Sequence, residues 1–196
     1  MATQAERREK TQAAIVKAAK RIFGERGFAA TTMDDIAASA SVAKGAVYHH
    51  FPTKEALFED VFEQVSIELV IDIDRIARTE KDALAAMAAG TEAYFSACAN
   101  SGATRRIILR DGPAVLGWER WREIDARHFG GKFPLALAAA MDAGVIARQP
   151  IEPLARLLLG AVTEAAVACS AGQDIAKTGA AYARAFRSLL DALRAK

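Results

Sequence analysis

Apolar residues recur at helical spacing along most of the chain, and the polar residues between them mark where each helix starts and stops. After a charged lead-in, Ile15, Ala18, Ala19, Ile22 and Phe23 share one face, which predicts a first helix from about Glu6 to Arg26. Gly27 stands where a helix is closed by a left-handed residue, and Phe28 can then contact Phe23 one turn back. Thr32 with Asp35 three residues on has the spacing of a capping box, Asp34 suits the positive end of the helix dipole, and Ile36, Ala37 and Ala40 form the buried side of a second helix. Ser41, Val42 and Ala43 fit a tight turn with Val42 as its apolar plug. A third helix from Lys44 to about His50 has room for two turns, with Val47 and Phe51 as inward anchors and Pro52 as its stop. Thr53 can cap a fourth, whose positions Leu57, Phe58, Val61, Phe62, Val65 and Leu69 keep the period for several turns.

Further helices are predicted at about 81–100, 103–110, 119–129, 132–143, 152–171 and 174–195, with breaks at Ser101-Gly102, Gly112-Pro113, Gly130-Gly131, Gly144 and Gln149-Pro150. The fold class is therefore all-α. No internal repeat or low-complexity linker divides the chain, so the fourth helix is expected to bridge an amino-terminal unit, 1–53, and a larger unit, 54–196.

With 196 residues and 52% hydrophobic content, the chain can bury a sizeable core. Residues 1–55 hold nine Lys or Arg against six Asp or Glu, so the overall charge of +2 sits at the front end on a near-neutral body. That distribution suits contact with a polyanion at one end. No long uncharged apolar run and no secretory leader are evident, which predicts a cytoplasmic protein without a membrane span. Cys98 and Cys169 are far apart and lack the spacing of a zinc site or redox motif, and read as small apolar fillers. A role for them in sensing oxidants is the alternative.

With Val47 and Phe51 turned inward, Lys44, Gly45, Tyr48 and His49 point outward, and the small residues Gly45 and Ala46 let the backbone approach a DNA groove. Lys44 can donate to guanine acceptors, and His49 can donate or accept at base edges. Tyr48, Lys54 and the amino end of the second helix at Thr32 are expected to hold phosphates of double-stranded DNA.

The string FGERGF, the Thr-Thr before a helix bearing Asp-Ile-Ala, then VAKGAVYHHF and PTKEALF, together resemble the amino-terminal DNA-binding domain of the TetR family of bacterial transcriptional regulators. The match covers roughly Ala14 to Phe62. It departs from the family pattern in the turn, where Ser41 replaces the usual glycine and Ala43 stands where a serine often caps the next helix. The resemblance implies an all-helical homodimer, each subunit carrying a helix-turn-helix head and a carboxy-terminal domain that binds an inducer.

The segment ILRDGPAVLGWERWREIDARHF resembles a stretch found in one subgroup of that family and holds both tryptophans. Trp118 and Trp121, with Phe62, Met87, Phe95 and Phe133, are candidates to line an apolar pocket for a small molecule, and Asp111 or His128 a polar anchor. Filling of the core between helices is the competing role for each aromatic. The last two helices, about 152–195, carry apolar stripes at Leu154, Leu157, Leu158, Ala161, Val162, Ala165 and Ala168, then at Tyr182, Phe186, Leu189, Leu190 and Leu193. Both stripes exceed what one subunit needs, which predicts a four-helix homodimer interface. Nucleophile elbows, phosphate-cradling glycine loops and metal-spaced His or Glu clusters do not occur in the sequence, so neither an enzyme nor a cofactor is expected.

Overall fold

The computed structural model describes residues 3–171 and 174–195, and within them the regular structure is helical. Thr3 opens α1 (Gln4–Arg26) with a capping box to Glu6, so the helix starts two residues ahead of the Glu6 expected from periodicity. Gly27 closes α1 at φ 85°, a conformation that favours glycine, and Phe28 stacks on Phe23 with ring centroids 5.8 Å apart. Thr32 and Asp35 form the expected capping box of α2 (Met33–Ala40).

Ser41 takes the left-handed conformation at φ 56°, the place where the family pattern has glycine, and Val42 packs against the core beneath the turn. Because a β-carbon is disfavoured there, Ser41→Gly should raise stability by about 0.5–1 kcal/mol after glycine's larger chain entropy is subtracted. A chemical denaturation curve checks this, and an unchanged midpoint would show that the serine relieves its own strain.

Ala43 provides no side-chain cap to α3 (Lys44–His50), and Val47 and Phe51 anchor that helix inward. Thr53 then caps α4 (Lys54–Ala77) through the Ala56 N–H. Phe58 of α4 meets Phe23 and Phe28 edge-on, each at 5.3 Å, so the head closes around one aromatic cluster.

Next come α5 (Ala83–Asn100) and the short α6 (Gly102–Arg105). A break expected at Gly112-Pro113 is replaced by continuous winding: a π-helical turn, Arg106–Asp111, leads into α7 (Gly112–Leu116), which holds Pro113 in its first turn. The chain breaks instead at Gly117, φ 76°. Beyond it α8 (Trp118–Asp125) passes into a second π-helical turn, Ala126–Gly130, and then α9 (Lys132–Asp142), α10 (Ile151–Ala171) and α11 (Ile175–Ala192).

α5 lies centrally, packed against α4, α9 and α11. One buried cluster runs from the head through α4 to Tyr94, Phe95, Cys98 and Trp121, and a second joins Leu84, Leu137, Met141, Leu158, Phe186 and Leu190 at the far end. By length and composition α10 could cross a membrane, with mean hydropathy 1.3 over Ile151–Ser170. It nevertheless carries Glu152, Arg156 and Glu164, and it packs on α9 and α11.

Candidate nucleic-acid interface and ligand cavity

The outer side of α3 is set by its anchors. Since Val47 is fully buried, Lys44, Gly45, Tyr48 and His49 are exposed, Tyr48 at 44%. Lys44 Nζ lies 2.8 Å from Asp34 Oδ1 and 5.9 Å from the Tyr48 ring centroid. The Asp34 hydrogen bond and charge raise the Lys44 pKa, so the residue stays cationic. Both partners are exposed, and a solvent-screened pair of that kind holds weakly, so a competing phosphate or base can displace it. A virtual β-carbon on Gly45 meets nothing, which leaves the backbone of α3 open to close approach.

Two expectations for the phosphate face change. Lys54 Nζ donates to the carbonyls of Phe28 at 2.9 Å and Thr31 at 2.8 Å and lies over the Phe28 ring at 4.1 Å. It therefore staples the α1–α2 loop to the start of α4 and does not reach outward. The Thr32 hydroxyl, though exposed, is engaged on both sides by Asp35, accepting its N–H and donating to its carboxylate at 2.7 Å. Its task here is to cap α2.

The head is clamped to the body through the first π-helical turn. Arg106 donates to the carbonyls of Gly24 and Glu25 at 2.6 and 2.5 Å, and the Phe28 N–H donates to Asp111 Oδ2 at 2.8 Å. Acids along α4 tie it to the segment that follows: Glu59 to Arg120 at 3.0 Å, Glu63 to Arg127 at 2.7 Å and to His128, and Asp74 to Lys132 at 2.6 Å.

Beneath that seam lies a cavity of about 210 Å³ between α4, α5, the second π-helical turn, α9 and α10. Its wall includes Ile73, Met87, Tyr94, Phe129, Phe133 and Val162, with Thr91, Asp125 and Thr163 as polar points and Asp74 and Lys132 also on it.

Of the eight residues predicted for a pocket, Met87 and Phe133 line this cavity and the other six lie elsewhere. Phe62 is core, filling the space against Gly112, where a β-carbon would come within 2.6 Å of its ring. Phe95 is packed on Gly179 of α11. Asp111 is committed to the Phe28 N–H at the head, and His128 to Glu63. Trp121 is buried beneath α8, whereas Trp118 is half exposed with Arg122 over its ring. The cavity-lining acid that sequence reasoning did not single out is Asp125, one turn beyond Trp121. Its acid within an amphipathic helix looked like any solvated charge.

Burial pushes the Asp125 carboxyl up to about 6, with the positive charges of Arg122 and His128 acting in the opposite direction. Cys98 and Cys169 are both fully buried and unbridged. Burial, aided by the nearby Cys169, drives the Cys98 thiol up to about 12, so the reactive thiolate form is suppressed.

A capped helix-turn-helix head on a helical body with a largely apolar cavity defines a DNA-binding transcriptional regulator. The family profile "Bacterial regulatory proteins, tetR family" matches residues 15–61, and "Tetracyclin repressor-like, C-terminal domain" matches 66–193. The chain belongs to the TetR family. The TetC protein of transposon Tn10 from Escherichia coli is 24% identical over 98% of this chain and 97% of its own. A TetR-family regulator from Pectobacterium atrosepticum, solved by crystallography, is 33% identical, with a TM-score of 0.87 over 100% of this chain and 99% of its own. RolR crystallised with resorcinol shares the fold, with TM-score 0.74 and 17% identity over 98% of this chain and 99% of its own.

Proposed function

We propose that the protein is a ligand-responsive repressor. It acts in the cytoplasm as a homodimer on a palindromic operator and is released by a small-molecule inducer in the body cavity, with no catalytic step. The head, 1–53, reads DNA, and the body, 54–196, binds the inducer and pairs through α10 and α11, with α4 spanning the two. Lys44 and His49 reach base edges, Gly45 admits the backbone to the groove, and Tyr48 holds a phosphate.

The observation that carries this reading is continuity. The cavity wall includes α4, which begins four residues after α3 ends and is tied at Asp74 to the cavity residue Lys132 and, through Lys54, to the loop before α2. An inducer must prefer the arrangement whose reading heads are wrongly spaced, because equal affinity for both arrangements shifts nothing. RolR, a relative in fold, has been crystallised in complex with a small aromatic ligand, resorcinol.

Selection of bound fragments from a random duplex pool tests the reading. It should recover a sequence with two-fold symmetry. Against that sequence, Lys44→Ala should relax preference at one base pair by on the order of 1–3 kcal/mol, whereas Tyr48→Ala should weaken all sequences alike. Recovery of no preferred fragment by the ligand-free protein would overturn the proposal.

A further inference from the structure

The cavity's polar lining sets one carboxyl without a hydrogen-bond partner among the described residues, that of Asp125, beside the hydroxyls of Thr91, Thr163 and Tyr94 and the Asp74–Lys132 pair. Thr91 spends its hydroxyl proton on the Met87 carbonyl at 2.9 Å, so toward a ligand its oxygen can only accept. Asp74 is held by Lys132. The Asp125 carboxyl lines the cavity and receives no hydrogen bond among the described residues; only the more distant charges of Arg122 and His128 act on it. Arg122 instead lies over the Trp118 ring, and His128 pairs with Glu63 of α4. The carboxyl is only partly covered by protein, so its acceptor oxygens are reachable from the cavity and an incoming donor can pair with them there.

The rest of the wall sets size and charge. Tyr94 and Phe129 stand edge to face at 5.4 Å, and Phe133 lines the same space. An apolar cavity of about 150 Å³ suffices for benzene, so about 210 Å³ admits one or two fused rings. An anion would oppose Asp125. A permanent cation would bring its hydration cost into a mainly aliphatic wall that already carries the Lys132 ammonium.

We propose that the cavity takes a neutral aromatic molecule of one or two rings bearing a hydroxyl group, which donates to the Asp125 carboxylate while its ring rests among Tyr94, Phe129 and Phe133. The inference depends on the cavity being the ligand site, as argued above, and adds the chemical class of the occupant and the residue that selects it.

Titration of the full-length protein with four matched probes tests it: 2-naphthol, naphthalene, 2-naphthoate and 2-(aminomethyl)naphthalene. 2-Naphthol should bind on the order of 10–100-fold more tightly than naphthalene, as expected for a hydrogen bond to a charged acceptor, and more tightly than either ionic probe. In Asp125→Leu that margin should shrink to within about threefold, and in Asp125→Asn, which keeps an uncharged acceptor, it should be intermediate. Thermal melting of each variant establishes that it is folded. A 2-naphthol margin that survives Asp125→Leu, or an ionic probe that equals 2-naphthol in the wild type, would overturn the inference.

Ala136→Phe, which fills the cavity from α9, separates the two levels of the argument. If all four probes bind alike and Ala136→Phe abolishes their binding, the hydroxyl inference falls and the ligand site stands. If no probe binds the wild type, or if binding is indifferent to Ala136→Phe, both fall.

Discussion

Replacing Leu157 and Leu189 together with glutamate should leave the helix content unchanged and lower affinity for a two-half-site operator by on the order of 10²–10⁴-fold, the gain that linking two binding modules ordinarily provides. Leu157 on α10 is 73% exposed and Leu189 on α11 is 54% exposed, with Tyr182 at 38% on α11 as well. Their neighbours on the same helices, Leu158, Phe186 and Leu190, are buried within the subunit. One side of each helix is therefore satisfied, and the other leaves large apolar side chains in water.

Gly160 and Ala161 lie exposed on α10, and a β-carbon on Gly160 would meet nothing, so a second helix can approach closely there. Placing carboxylates in such a seam sets like charges against one another after desolvation, which a dimer cannot tolerate. Sedimentation should show two chains for the wild type and one for the variant, and operator titration should show the loss. A variant that remains dimeric and binds normally would move the interface elsewhere.

Asp125→Asn should stabilise the protein at neutral pH by on the order of 2–3 kcal/mol, because the folded state holds this carboxyl at about 6 against an ordinary aspartate value of 3.8. The sign follows from which state binds protons more tightly. Below the unfolded value both states are protonated and the carboxyl carries no burial cost. As pH rises through the interval up to about 6, the unfolded chain ionises while the folded one still holds its proton, so the wild type loses stability. Above that interval the loss is complete. The advantage of asparagine should therefore be full at pH 7.5, shrink as pH falls from about 6, and nearly vanish near 3.8. Denaturation midpoints of both proteins across this range measure it, and a pH-independent difference would mean that packing rather than ionisation separates them.

The head was legible in the sequence because each of its signals is local. Thr32 and Asp35 are three residues apart and cap the same helix turn, Gly27 and Phe28 act on the helix just ended, and Val47 with Phe51 orients a helix only seven residues long. Where a side chain there has a distant partner, the same reading failed. Lys54 has the composition of a phosphate contact, yet the carbonyls that hold it belong to Phe28 and Thr31, more than twenty positions away.

The body was legible as helices and only loosely as a site. Its helical period and its two carboxy-terminal apolar stripes are properties of the sequence. Whether an aromatic on such a helix faces a cavity, a neighbouring helix or solvent depends on rotation and on which partner packs against it. Trp118 and Trp121 make the point: three residues apart on one helix, one is half exposed and the other buried. The π-helical turns at Arg106–Asp111 and Ala126–Gly130 carry no sequence mark of their own, yet they alter the facing of everything after them.

Sequence alone determined the helical class, the capped reading head and its outward residues, since hydrogen bonds and periodicity within a few residues suffice for these. Tertiary structure decided that Asp125 rather than Asp111 or His128 reaches the cavity, because Phe28 and Glu63, distant in the chain, occupy the other two.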